Sequence, residues 1–224
     1  MRMLAVFEKS ERIRHIGHLD IQRSMQRGLR RSGLPVAYSN GFNPHILVSF
    51  ASALSTGACG LREIMDVAMA EPTDEASFLA KMNGAMPPEL QIKECRAVDD
   101  RHPAAMSLVR AAVYDLTIYD TDDAETIIPA VPSLMEKDSV FAMRKTKTTL
   151  KECDIRPMIF SLRGEGRHLF AVLELTEKSA CKPGMLMEAL QRESGLRHDT
   201  RILITRTGLL GEDADGNLIP LEKL

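Results

Sequence analysis

One order of hydrophobic periodicities occurs twice in this chain, and it limits the fold more than any single motif does. Residues 3–8 read as a short strand, and residues 18–32 carry a helical pattern. Ser32-Gly33-Leu34-Pro35 ends that helix, with Gly after the last turn and Pro beyond it. Val36-Ala37-Tyr38, Ile46 to Phe50 and Glu63 to Ala70 read as strands. Glu71-Pro72-Thr73-Asp74 then opens a helix to Gly84, with Thr73 or Asp74 as its cap, and Glu89 to Val98 closes with a strand. The second half runs in the same order. Ala111 to Tyr119 alternates as a strand, and Asp123 to Glu136 is helical but interrupted by Pro129 and Pro132. Val140 to Lys147, Leu150 to Ile159 and a hairpin around Gly164-Glu165-Gly166 supply further strands. Pro183 to Ser194 is a helix with Gly195 after it, and Thr200 to Thr207 alternates as the last strand.

Strand, helix, strands, helix, strand is the order of the split βαβ unit. The expected fold class is therefore α+β, with two tandem ferredoxin-like (βαββαβ) units built on antiparallel sheets. The expected units are residues 1–100 and 106–210, joined near Asp99–Ala105, with 211–224 as a tail. A length of 224 residues suits two small domains. The halves share a pattern and no obvious sequence identity.

The composition excludes several classes. Hydrophobic content of 44% and charged content of 27% are those of a water-soluble globular chain. No apolar run approaches the roughly 18 residues of a membrane span, and no basic segment followed by an apolar one opens the chain. A cytoplasmic protein is expected. Cys59, Cys95, Cys153 and Cys181 stand far apart without CxxC spacing, which predicts reduced, mostly buried thiols and neither a zinc ribbon nor an iron–sulfur cluster.

Net charge is −2, but it is strongly segregated. Residues 1–50 hold eight Lys/Arg against three Asp/Glu, whereas residues 51–140 hold seven against sixteen. Residues 141–210 are basic again, with thirteen against eight. Such asymmetry governs partner choice more than the total does. In the first helix Ile21, Met25, Gly28 and Leu29 share one side, while Arg23, Arg27, Arg30 and Arg31 fall on the opposite side. Leu19 does not obey this division.

The loop Ser39-Asn40-Gly41-Phe42-Asn43-Pro44-His45 follows, rich in turn-forming residues. It reads either as a hairpin turn with a solvated His45, or as a loop whose N–H groups, Asn43 and His45 face a phosphate. A second basic segment comprises Arg144-Lys145-Thr146-Lys147, Lys151 and Asp154-Ile155-Arg156-Pro157. A run of this kind is usually a solvated edge strand. Beside an arginine helix it also reads as a phosphate-binding surface through Lys145, Lys147 and Arg156. His15 and His18 are three apart at the start of the first helix, too few ligands for a metal site, so neither metal nor cofactor is expected.

Several blocks together resemble the radical-SAM-linked protein family of unknown function. They are Phe7-Glu8-Lys9, Ile16-Gly17-His18-Leu19-Asp20, Arg30-Arg31-Ser32-Gly33-Leu34-Pro35, Tyr38 to His45 and Ser49-Phe50. Lys145-Thr146-Lys147, Asp154-Ile155-Arg156-Pro157 and Arg206-Thr207-Gly208-Leu209 extend the resemblance through the second half. Gly41-Phe42-Asn43-Pro44-His45 is its most specific part. Members are encoded beside or fused to a radical SAM enzyme, often near ribosome and RNA-maturation genes, which implies an accessory role. Gly17 stands where Ser is common in the family, and Ile46 where Pro often follows the histidine. The chain lacks the CxxxCxxC motif of radical SAM enzymes themselves. A weaker resemblance, in layout and first helix, is to the tandem ferredoxin-like CRISPR RNA endonucleases, whose glycine-rich C-terminal loop Thr207-Gly208-Leu209-Leu210-Gly211 matches poorly.

The resulting expectation is a non-catalytic accessory protein that binds a structured RNA, tRNA or rRNA, for a radical SAM partner. Its contacts would be Arg23, Arg27, Arg30, Arg31, Asn43, His45, Lys145, Lys147 and Arg156. One alternative is a metal-independent ribonuclease with His45 or His18 as general base. Another is a protein-interaction adaptor that docks through the acidic middle segment and binds no RNA.

Overall fold

The computed structural model describes residues 1–145 and 150–224, the side chain of Lys145 excepted. It is a mixed α/β protein with mostly antiparallel sheet. The chain divides into two compact units, Met1–Val109 with Gly208–Leu224, and Arg110–Thr207.

In the first unit, β1 (Arg2–Lys9) leads to α1 (His18–Arg31), β2 (Val48–Phe50), β3 (Ala58–Ala68), α2 (Glu75–Ala85), β4 (Ile92–Val98) and the short α3 (Ala105–Leu108). β1 pairs antiparallel with both β3 and β4, and β2 pairs antiparallel with β3. Met65, Asp66 and Val67 bond β1 on one side and β2 on the other, so the strand order is β4-β1-β3-β2. Alternation along β1 sends Met3, Ala5 and Phe7 into the core, where they meet Ile21, Met25 and Leu29 of α1 and Phe78 and Met82 of α2. Each of these side chains other than Ala5 contributes about 1.5–3 kcal/mol by leaving water. Asp74 caps α2, its carboxylate accepting the Ser77 N–H at 2.8 Å.

Val36 to Tyr38, expected as a strand, makes only single bridges, Val36 to Met69 and Tyr38 to Ile46. Pro35 and the turn residues beyond Tyr38 leave too little chain for a ladder. Residues 211–224, expected as a tail, form part of this unit. β11 (Leu218–Pro220) pairs with the end of β10 (Ile202–Glu212), and Leu221 is buried.

In the second unit β5 (Ala111–Ile118) is followed by two short helices, α4 (Thr121–Ile127) and α5 (Ala130–Glu136). Pro129 sits at the break between them, as its missing N–H requires. A separate hairpin of β6 (Phe141–Lys145) and β7 (Leu150–Asp154) precedes β8 (Ile159–Glu165), β9 (His168–Glu174) and α6 (Pro183–Ser194). β5 pairs antiparallel with β9, and β9 with β8. β10 enters beside β5 on its other side, where the Tyr119 N–H donates to the Arg201 carbonyl at 3.0 Å. No helix among the described residues is long and apolar enough to cross a membrane.

Candidate nucleic-acid interface

α1 forms because its apolar residues recur at helical spacing and its end charges suit the helix dipole. Asp20 lies in the first turn, and Arg30 and Arg31 lie in the last. Ile21, Met25, Gly28 and Leu29 are buried, and Arg23, Arg27, Arg30 and Arg31 are exposed. Gly28 lies against Met82 and Met86, where a Cβ would collide with the Met86 side chain. The four arginines are not equivalent. Arg23 pairs with Asp20 at 2.8 Å, and Arg31 donates to the Ala85 carbonyl at 2.6 Å, which joins the ends of α1 and α2. Arg27 and Arg30 have no ion pair or hydrogen bond among the described residues, so they are the helix's available cations.

The loop after α1 is closed by its own ends. Ser39 N–H donates to the His45 carbonyl at 2.8 Å, His45 N–H donates to Ser39 Oγ at 3.1 Å, and Oγ lies 2.8 Å from His45 Nδ1. Gly41 at the tip has φ 118°, a conformation that favours glycine. Phe42 beside it is fully exposed, as are Asn43 and His45 in lesser degree. A cavity of about 290 Å³ borders the loop, lined by His45, Ser49 of β2, Asp66 of β3 and Arg2 of β1. Arg2 Nε is 3.0 Å from Asp66 Oδ1. Burial pushes the Asp66 carboxyl up, against the opposing pull of Arg2 and a backbone bond from Ala105.

His18 is placed differently from His45. Its ring packs edge-on against Phe50 at 5.3 Å and lines a space of only about 10 Å³ with Lys9 and Glu63, room for about one water. Lys9 is itself buried and donates to the Arg14 carbonyl at 2.8 Å. His15 is exposed nearby in sequence, and among the described residues no group of three His, Cys, Asp or Glu side chains is poised to hold a metal ion.

The second basic segment belongs to the second unit and does not form a row of free cations. Arg156 donates from Nε and Nη2 to the Met135 carbonyl at 3.2 and 3.0 Å, and from Nη1 to the Ile159 carbonyl at 3.4 Å. It ties α5 to the start of β8. Arg144 donates to the Ala180 carbonyl at 3.0 Å. Lys145 is the last residue of β6, and Lys147 lies outside the described residues.

Two histidine–aspartate pairs escaped the sequence reading. His168 Nδ1 lies 2.9 Å from Asp115 Oδ1 across β9 and β5. His198 Nε2 lies 2.7 Å from Asp123 Oδ1, and Thr200 donates to the other carboxylate oxygen at 2.9 Å. The only sequence signal for the second pair was a buried-side acid on the apolar stripe of α4, where Asp123 adjoins Ala124 and Ile127. All four cysteines are free thiols.

The model of a family described as "Uncharacterized protein conserved in bacteria (DUF2344)" matches residues 2–190. The chain belongs to this family. No curated protein matches it. The part matched as DUF2344 takes in the arginine helix, the Ser39–His45 loop and both basic segments, and it ends within α6.

Proposed function

We propose that this DUF2344 protein is an accessory RNA-binding protein of the cytoplasm that presents a structured tRNA or rRNA to a radical SAM enzyme for modification or maturation. The observation that carries the reading is the pair Arg27 and Arg30, exposed and without partners among the described residues, on a helix whose opposite face is buried. An exposed cation without a carboxylate beside it is available to a phosphate, and the release of counterions drives such binding. Arg31 adds charge to the same face, Arg23 adds a cation already paired with Asp20, and Asn43 and His45 offer polar contacts on the neighbouring stretch of chain. The strand order β4-β1-β3-β2 and its counterpart in the second unit support reading each unit as ferredoxin-like. The radical SAM partner rests on the resemblance carried by the Ile16 to Asp20 and Tyr38 to His45 blocks.

The test is a gel shift of the purified protein against total tRNA and rRNA fragments, across a salt series and in EDTA. A shift of intact RNA that weakens steeply with salt is the expected result. Cut RNA in EDTA would replace the reading with that of a metal-independent ribonuclease. Absence of any shift at low salt would leave an adaptor, and capture of the radical SAM enzyme that survives nuclease treatment would then support that role.

A further inference from the structure

We infer that a second site in the first unit, a cavity beside β4, binds a small oxyanion, a carboxylate or phosphate group carried on an otherwise apolar molecule, through Arg96. The cavity holds about 360 Å³, within the roughly 300–1,000 Å³ range of small-molecule sites. Leu4 and Val6 of β1 form its apolar part. Leu4 stands across from Arg96 and Val6 across from Glu94, so alternation puts both β4 side chains on the face that carries Leu4 and Val6.

The lining holds three cations, Arg62, Arg96 and Lys223, and three carboxylates, Glu75, Glu94 and Glu222, which balance in number but are not evenly paired. Arg62 is held by two carboxylates, Glu94 and Glu222. Glu75 accepts the Ala97 N–H at 2.8 Å. The Cys95 thiol, pushed up to about 11 by burial and by Glu75, is uncharged at neutral pH and adds no repulsion. That leaves Arg96 and Lys223 as lining cations with no carboxylate of their own among the described residues.

Arg96 is the decisive group. Its Nε and Nη2 are shut off from water and have no hydrogen-bond partner among the described residues, although the residue as a whole is only half-buried. Buried donors in this state are rare, because water has been removed and nothing has replaced it. The Nε–Nη2 edge is also the side of a guanidinium that takes two oxygens of a carboxylate or phosphate at once. A rotation of the side chain that turns this edge into the cavity lets a bound oxyanion supply both missing acceptors. Lys223 adds a second positive charge, and Leu4 and Val6 accommodate the apolar body of the ligand.

The site is independent of the arginine helix, and its test is separate. The ¹⁵N-labelled full chain is titrated with inorganic phosphate, and in parallel with acetate and butyrate, at ionic strength held constant with chloride. The Arg96 Nε–Hε signal is identified by its absence from Arg96→Lys. It should shift saturably with at least one anion, and the thermal midpoint should rise with the same anion. Arg96→Met should weaken that binding at least about tenfold, as expected for loss of a bidentate charged contact. Arg27→Glu/Arg30→Glu should leave it unchanged. A response to phosphate alone identifies a phosphorylated ligand, and a stronger response to butyrate than to acetate identifies an apolar carboxylate. No saturable shift with any of the three would overturn the proposal, as would an equal rise in midpoint in Arg96→Met. Should Arg96→Met not fold, the wild-type Nε–Hε titration and Lys223→Ala decide the matter, the latter expected to weaken binding.

Discussion

Ser39 and His45 fasten the two ends of the Asn40–Pro44 loop to each other, with the Ser39 hydroxyl 2.8 Å from His45 Nδ1 and 3.1 Å from the His45 N–H. The hydroxyl thus fixes both the backbone and the ring of His45, which leaves Nε2 as the ring nitrogen free of that link. Ser39→Ala removes both contacts and keeps the Ser39 N–H bond to the His45 carbonyl. It should cost about 0.5–1.5 kcal/mol in denaturant unfolding and speed hydrogen exchange at the His45 amide.

Arg27 and Arg30 carry the RNA reading, and their effect is separable from stability. Each phosphate contact contributes about 0.9 to the dependence of log K on log salt. Arg27→Ala/Arg30→Ala should therefore lower that slope by about 2, with unfolding changed by no more than about 0.5 kcal/mol. An unaltered slope would show that this helix face does not touch RNA.

Arg156 should behave in the opposite way. Its three bonds to the Met135 and Ile159 carbonyls make it a structural residue. Arg156→Ala leaves part-buried acceptors without a donor and should destabilise the second unit by about 1–3 kcal/mol, measured by urea unfolding. RNA affinity per folded molecule should stay close to that of the wild type.

Gly28 is where α1 meets α2, since a Cβ there would collide with Met86 and come within 3.3 Å of Met82 Cε. Gly28→Ala gains up to about 1 kcal/mol of helix propensity but should still destabilise, because overpacking costs about 1–3 kcal/mol. Combined with Met86→Ala, its cost should fall below the sum of the single changes, which a double-mutant cycle reads directly.

Asp66 has its carboxyl raised by burial, with Arg2 opposing. A raised carboxyl binds its proton more tightly in the folded state. The wild type should then gain stability as pH falls from neutral through the raised folded value towards the ordinary one near 3.9. Asp66→Asn should lack that gain while other acid-linked changes persist, as urea unfolding at a series of pH values would record.

The α1 helix was legible because two independent signals agreed. Its apolar residues recur at helical spacing, and Ser32-Gly33-Leu34-Pro35 gives a chemical stop. α6 was legible for the same reasons, between Pro183 and Gly195. The segment at Val36 was less so, because an apolar triplet matches strand and bridge alike, and only its neighbours decide how many ladder bonds form. The end of the chain was misleading: Asp213 and Asn217 are turn residues that look like a solvated tail, yet they close the hairpin between β10 and β11.

Local sequence determined α1 and α6, the arginine face of α1 and the tight loop before His45, since each depends on residues within one or two turns of chain. Tertiary structure alone decided which charges remain available. Arg31 acquires a partner at the end of α2, Arg156 becomes a brace for backbone carbonyls, and the Nε–Nη2 edge of Arg96 is closed off without one among the described residues, whereas Arg23 meets Asp20 within its own helix. The physical reason is that a side chain's period places it on a face, whereas its hydrogen bonds depend on groups brought to that face from elsewhere. Ala85 lies 54 residues from Arg31, and Met135 lies 21 from Arg156.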